Sequence, residues 1–122
     1  MSGLPVREAL MRDILGMSTS PVAVKFHEDL THLQGYELPE KRRYCQALME
    51  ARQGKRVLLT PENIACPAAA WALGFAEPPP RLASGEMPAA MGIFGNPGAV
   101  VHTFSTMQRL EMGRYKMVAV CP

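Results

Sequence analysis

The stretch Leu58-Leu59-Thr60-Pro61-Glu62-Asn63-Ile64-Ala65-Cys66-Pro67-Ala68-Ala69-Ala70-Trp71-Ala72-Leu73-Gly74-Phe75 decides how the chain is read. It reads as a buried strand, a tight polar connection, a cysteine at a turn, and a short alanine-rich helix stopped by glycine. Pro67 fixes the junction. A residue before proline is pushed out of the α region, so Cys66 is expected in extended geometry. Proline suits the first helical position, where its missing N–H costs nothing. Cys66 is therefore expected at or beside a helix N-cap. A thiol there faces unpaired N–H groups and the positive end of the helix dipole, a setting that suits an anionic sulfur.

Working outward, Arg56 to Thr60 reads as the second strand, and its Val57-Leu58-Leu59 run does not alternate, which suits burial on both faces. Before it, Lys41 to Arg52 reads as a helix ended by Gly54, with Cys45, Leu48, Met49 and Arg52 on one face. His27 to Glu40 is polar, carries Gly35 and Pro39, and reads as a loop. Pro21 to Phe26 is the first strand. Pro5 to Leu15 is an amphipathic helix with Val6, Leu10 and Ile14 on one stripe and Arg7, Glu8, Arg12 and Asp13 opposite.

Beyond Gly74, Glu77-Pro78-Pro79-Pro80 reads as a stiff connector, and Ser84 as the cap of a short helix from Gly85 to Met91. Asn96-Pro97 repeats the cap-plus-proline signal and opens a helix to Met107, with Val100, Val101, Phe104 and Met107 inward. Tyr115 to Cys121 is the third strand, on which Cys121 falls in phase with Met117 and Ala119 and is expected in the core.

Three strands separated by helices predict an α/β fold: a small, mainly parallel or mixed three-stranded sheet with packed helices and right-handed connections, its strand order open. Residues 1–122 are expected to form a single α/β domain. The stop just past the third strand points to a fragment of a longer architecture, or to half of a larger two-half fold.

The 122 residues suit one domain, and 48% apolar with 20% charged residues is an ordinary globular balance. A net charge of +2 is too small to argue by itself for nucleic acid or an anionic membrane, and Lys41-Arg42-Arg43, without interleaved aromatics, reads as a solvated face. No run approaches the ~18 apolar residues of a membrane span. Met1 to Gly16 lacks a signal-peptide core, so a cytoplasmic location is the default expectation. Three cysteines in such a chain read as free thiols or ligands rather than a disulfide framework, and nine methionines as flexible core filler.

Cys45 and Cys66 form no Cys-x-x-Cys pair, and neither zinc-finger nor ferredoxin spacing is present. Position favours them more than spacing does. Cys45 follows the basic Lys41-Arg42-Arg43 by one helical turn and Cys66 opens a helix, settings that suit an iron–sulfur cluster or a soft metal. Two sulfurs are too few for a four-cysteine cluster. A homodimer or a missing second half would supply the others. The competing reading packs Cys45 beside Leu48 and Met49 and buries Cys66 as a small turn residue. Thr60, Glu62 and Asn63 are expected at the rim of any ligand pocket at the end of the second strand, with turn capping as the alternative for Thr60 and Asn63. His27, His32 and His102 are scattered and lack partners at ligand spacing. Gly92 to Gly98 lacks the lysine of a phosphate loop, and no catalytic set can be nominated.

Five segments in order carry a resemblance. They are Ser20 to Phe26, Tyr44-Cys45-Gln46-Ala47-Leu48, Leu59 to Ala69 with Ala72 to Phe75, Leu82 to Glu86, and Arg114-Tyr115-Lys116. Together they resemble the N-terminal half of a bacterial and archaeal family named domain of unknown function 169. The resemblance implies a second half carrying further cysteines, and covers Cys45 and Cys66 but not Cys121. It departs at Ala68, where the family pattern has glycine after the cysteine–proline pair. No activity is firmly assigned to the family, and whether the chain is an enzyme stays open.

The expectation is an uncharacterised cytoplasmic protein that binds an iron–sulfur cluster or soft metal through Cys45 and Cys66, for redox or sensing. The alternative is a non-catalytic small-ligand-binding or protein-interaction module.

Overall fold

In the computed structural model, which describes residues 3–122, the elements run α1 (Gly3–Leu15), β1 (Ala23–His27), α2 (Tyr44–Arg52), β2 (Val57–Leu59), α3 (Pro67–Ala72), α4 (Pro80–Ala83), α5 (Glu86–Ala90), α6 (Pro97–Thr106) and β3 (Met117–Cys121). The three strands form one sheet in the order β1-β3-β2. β3 pairs antiparallel with both neighbours, Val120 lying opposite Val24 on one side and Val57 on the other.

The expectation of a mainly parallel sheet is therefore corrected. β1 and β2 do run in the same direction, as the strand–helix–strand pattern predicts, but β3 lies between them. The reason is burial. Met117, Val118, Ala119 and Val120 are all buried, so this strand needs ladder partners on both edges and cover on both faces. Parallel pairing survives as two isolated bridges, Glu37 with Val57 and Arg42 with Ile64.

One face of the sheet carries Val57, Leu59, Val118 and Val120, packed against Ala47 and Ala51 of α2, Ala70 of α3 and Leu73 at the end of α3. Ala47 and Ala51 are fully buried because small side chains let the helix axis approach the strands. This corrects the reading that packs Cys45 beside Leu48 and Met49. Tyr44, Ala47, Leu48 and Ala51 point inward, while Cys45 and Met49 are exposed. The opposite face carries Leu58, Met117 and Ala119, covered by Leu33 and Tyr36 from the segment after β1.

Three boundaries differ from the sequence expectation. α2 starts at Tyr44 rather than Lys41, because the main chain of Arg42 is committed to its bridge with Ile64. The proline run is not only a connector, since Pro80 opens α4. Ser84 ends α4 instead of capping α5, and Gly85, left-handed at φ 80°, takes the N-cap of α5. Pro88 is tolerated in α5 because it lies in the first turn, where N–H groups have no helical partner. Asn96 caps α6 as expected, its Oδ1 accepting from the Ala99 N–H at 2.8 Å. Of that helix's expected inner stripe Val100 is fully buried, whereas Val101 is exposed. The apolar stripe of α1 faces outward, with Val6, Leu10 and Ile14 exposed. No described helix is long and apolar enough to cross a membrane.

Candidate functional site

The segments that lead into α2 and α3 run side by side. The Arg42 N–H donates to the Asn63 carbonyl at 2.9 Å, and the Ala65 N–H donates to the Arg42 carbonyl at 2.7 Å. This bridge aligns the starts of the two helices. Cys45 sits three residues past Arg42 in the first turn of α2, and Cys66 two residues past Ile64 at the N-cap of α3. Cys66 has φ −95° and ψ 114°, the extended geometry that Pro67 demands, with Pro67 opening the helix. Its side chain makes no capping hydrogen bond. All three cysteines are free, with Cys45 exposed and Cys66 and Cys121 partly buried. Among the described residues, no group of three or more His, Cys, Asp and Glu side chains could hold a metal ion.

The basic run beside Cys45 is tied into the fold. Lys41 Nζ donates to the Glu62 carbonyl at 3.0 Å, and Arg42 Nε donates to Glu50 Oε1 at 3.0 Å. Arg43 is the N-cap of α2, its N–H bonded to Gln46 Oε1 at 2.9 Å. A shallow depression beside these groups, of about 370 Å³, is lined by Arg42, Cys45, Gln46, Met49, Glu50 and Gln53. Glu50 Oε2 is buried there and has no hydrogen-bond partner among the described residues. Burial holds the neighbouring Tyr44 phenol above its ordinary pKa.

The polar turn after β2 is built around Asn63. Its Oδ1 accepts from the Thr60 N–H at 2.7 Å, and its Nδ2 donates to the carbonyls of Pro39 (3.1 Å) and Leu58 (3.0 Å). Thr60 and Asn63 are 6% and 4% exposed, so both side chains face the interior while Glu62 faces solvent. Both amide hydrogens of Asn63 are engaged within the chain. Asn63 thus shapes the turn that delivers Ala65 to Arg42 and Cys66 to the start of α3. Periodicity could not disclose this network, because its partners Pro39 and Leu58 lie in other segments.

Sequence reasoning also missed Tyr36, His27 and Lys25 beside Cys121. They line a cavity of about 330 Å³ on the sheet face away from α2 and α3. The period-two pattern of β1 could have placed Lys25 and His27 together, but Tyr36 reaches them from a segment without regular structure.

Comparison with known proteins adds the lineage. The family domain of unknown function 169, described as "Uncharacterised ArCR", matches residues 10–122. The chain belongs to this family. A curated relative, the uncharacterized protein MJ0308 of Methanocaldococcus jannaschii, is 32% identical over 101 residues. That alignment covers 80% of the present chain and 43% of the archaeal protein, so the chain spans less than half the length of this relative. No solved structure matches this member of the domain of unknown function 169 family. Its two helix-start cysteines, Cys45 and Cys66, both lie inside the matched region.

Proposed function

We propose that this chain contributes half of a cysteine-ligated site, in which Cys45 and Cys66 hold an iron–sulfur cluster or a soft metal for redox or sensing. One observation carries the reading: the Arg42–Ile64 bridge starts α2 and α3 side by side, with one free cysteine at each start. Two thiols fall short of a complete site, because clusters and structural soft-metal sites use about four ligands. A second copy of the chain, or the additional length found in the archaeal relative, would supply the remainder. When bound, such a group would supply electron transfer or a metal-dependent conformational signal. The chain's own part is to fix two sulfurs on rigid helix starts and to place Lys41 and Arg42 beside them, where their positive charge offsets that of anionic ligands.

A second reading, a protein-interaction module without a cofactor, is supported by the exposed stripe of α1. Iron, acid-labile sulfide and mass in solution, measured on anaerobically purified protein, separate the two. The cysteine reading expects stoichiometric metal that is lost in Cys66→Ser. Colourless, metal-free protein, also after reconstitution with iron and sulfide, would sink it.

A further inference from the structure

The sheet face opposite α2 and α3 carries a cavity away from Cys45 and Cys66. This cavity of about 330 Å³ lies between β1, β3 and the segment holding Leu33 and Tyr36. This is within the size range of small-molecule pockets. Lys25 and His27 are two residues apart on β1, so they project from the same face about 7 Å apart. Ala119 lies opposite Lys25, and Cys121 lies opposite Ala23 at the far end of the strand.

Three observations define what would fit. First, Lys25 is the only fully charged side chain type in the lining, which contains no carboxylate, and Lys25 makes none of the ion pairs found among the described residues. Second, His27 Nε2 is buried and has no hydrogen-bond partner among the described residues. Such an atom is rare in folded proteins, and because solvent does not reach it, a ligand can supply the missing partner only once the imidazole turns toward the cavity. Third, Leu33 and Ala119 add apolar surface to the lining, and Ala23 lies across from Cys121 at the far end, where Tyr36 also lines the cavity.

We propose that this cavity binds a small organic acid: a carboxylate paired with Lys25 and reaching His27 Nε2 by a turn of the imidazole, with an apolar body lying along β1 toward Cys121 and Tyr36. One lysine and one imidazole suit a monoanion. A phosphate dianion would call for further cations or a helix N-terminus, and the lining supplies neither.

Octanoate tests the assignment, with hexylamine as a cationic counterpart of similar body. Both are titrated into the full chain and followed by amide nitrogen–proton correlation NMR. Octanoate is expected to give saturable shifts at Lys25, His27, Ala119 and Cys121, with roughly tenfold weaker affinity in Lys25→Glu, as loss of a charge-assisted contact predicts. Hexylamine is expected to leave those signals in place. Octanoate shifts confined to the exposed stripe of α1, unchanged affinity in Lys25→Glu, or equal binding of hexylamine would each overturn the proposal. A second readout uses the Cys45→Ser, Cys66→Ser double variant, in which octanoate should slow alkylation of Cys121 by iodoacetamide. An unchanged rate at saturating octanoate also overturns it.

Discussion

The side-chain amide of Asn63 donates to the Pro39 carbonyl at 3.1 Å, joining two buried residues 24 positions apart. The same amide group donates to Leu58, and the side-chain oxygen accepts from the Thr60 N–H. One residue therefore ties the segment before α2 to the end of β2. Asn63→Ala would strand a buried N–H and two buried carbonyls. Leaving such groups unpaired costs about 1–3 kcal/mol each before relaxation and water entry. A net loss of about 2–4 kcal/mol is expected in urea unfolding. Thr60→Val keeps the main-chain bond and loses only the weak 3.4 Å hydroxyl contact, so about 1 kcal/mol or less is expected. Equal losses for the two variants would disprove this account.

Local signals in the sequence carried much of the fold, and long-range ones did not show. Cys66-Pro67 and Asn96-Pro97 mark helix starts because cap and proline act within one turn, and both helices begin there. The Val57-Leu58-Leu59 run marks a strand buried on both faces. The place of β3 between β1 and β2 was not legible, since strand patterning reports which side chains share a face but not which strand inserts between two others. The inward face of α2 was not legible for a related reason. Cys45, Leu48 and Met49 look more apolar than Ala47 and Ala51, yet close packing on the sheet selects the small residues. At the candidate site, the extended geometry of Cys66 follows from Pro67 alone. Its alignment with the start of α2 depends on the Arg42–Ile64 bridge across 22 residues.

Tyr36 provides a pH signature for the far face of the sheet. The Cys121 thiol as a hydrogen-bonding partner holds the Tyr36 phenol above 10.0, burial and the charge of Cys121 add to the rise, and Arg56 opposes it. The guanidinium of Arg56 lies 5.9 Å from the ring centroid. A raised folded-state pKa means that the neutral phenol is favoured by folding. Its stabilising contribution is complete below the unfolded value of 10.0 and is lost as pH rises through the folded value. Absorbance titration at alkaline pH should show one tyrosine ionising late for this reason, and Cys121→Ala should bring it earlier. If Cys121→Ala leaves all tyrosine midpoints in place, the two side chains are not coupled.

Two leucines contrast the exposed helix with the core. Leu10 in α1 is 57% exposed, whereas Leu59 in β2 is fully buried. Leu10→Glu keeps a good helix former on an exposed surface and should change stability by less than about 0.5 kcal/mol. Leu59→Ala opens a cavity against α2 and should cost about 2–5 kcal/mol. If Leu10→Glu also lowers the mass of the particle in solution, the α1 stripe is an interface in the assembled protein. A loss above about 1 kcal/mol in a chain that stays monomeric would instead show that α1 packs on its own domain.

Gly74 and Gly113 test whether backbone conformation or close approach matters more at the end of α3. Both have left-handed φ, 72° and 76° respectively. A Cβ on Gly74 would lie 2.5 Å from the Glu111 carbonyl oxygen and 3.0 Å from that of Leu110, whereas one on Gly113 would meet nothing within 4 Å. The segment lies that close because the Leu110 N–H donates to the Ala72 carbonyl and the Gly113 N–H to the Gly74 carbonyl, both at 2.9 Å. Gly113→Ala should therefore cost only the left-handed penalty of about 1–2 kcal/mol. Gly74→Ala adds a clash with main-chain atoms, which have no rotamer by which to move aside. Its cost should exceed that of Gly113→Ala by about 1–3 kcal/mol in chemical unfolding. The separation of residues 108–113 from α3 should also appear as a change in Trp71 fluorescence, since the Arg109 guanidinium stacks 4.5 Å over that indole. Equal costs with an unchanged Trp71 signal would mean that the packing of this segment on α3 does not constrain Gly74.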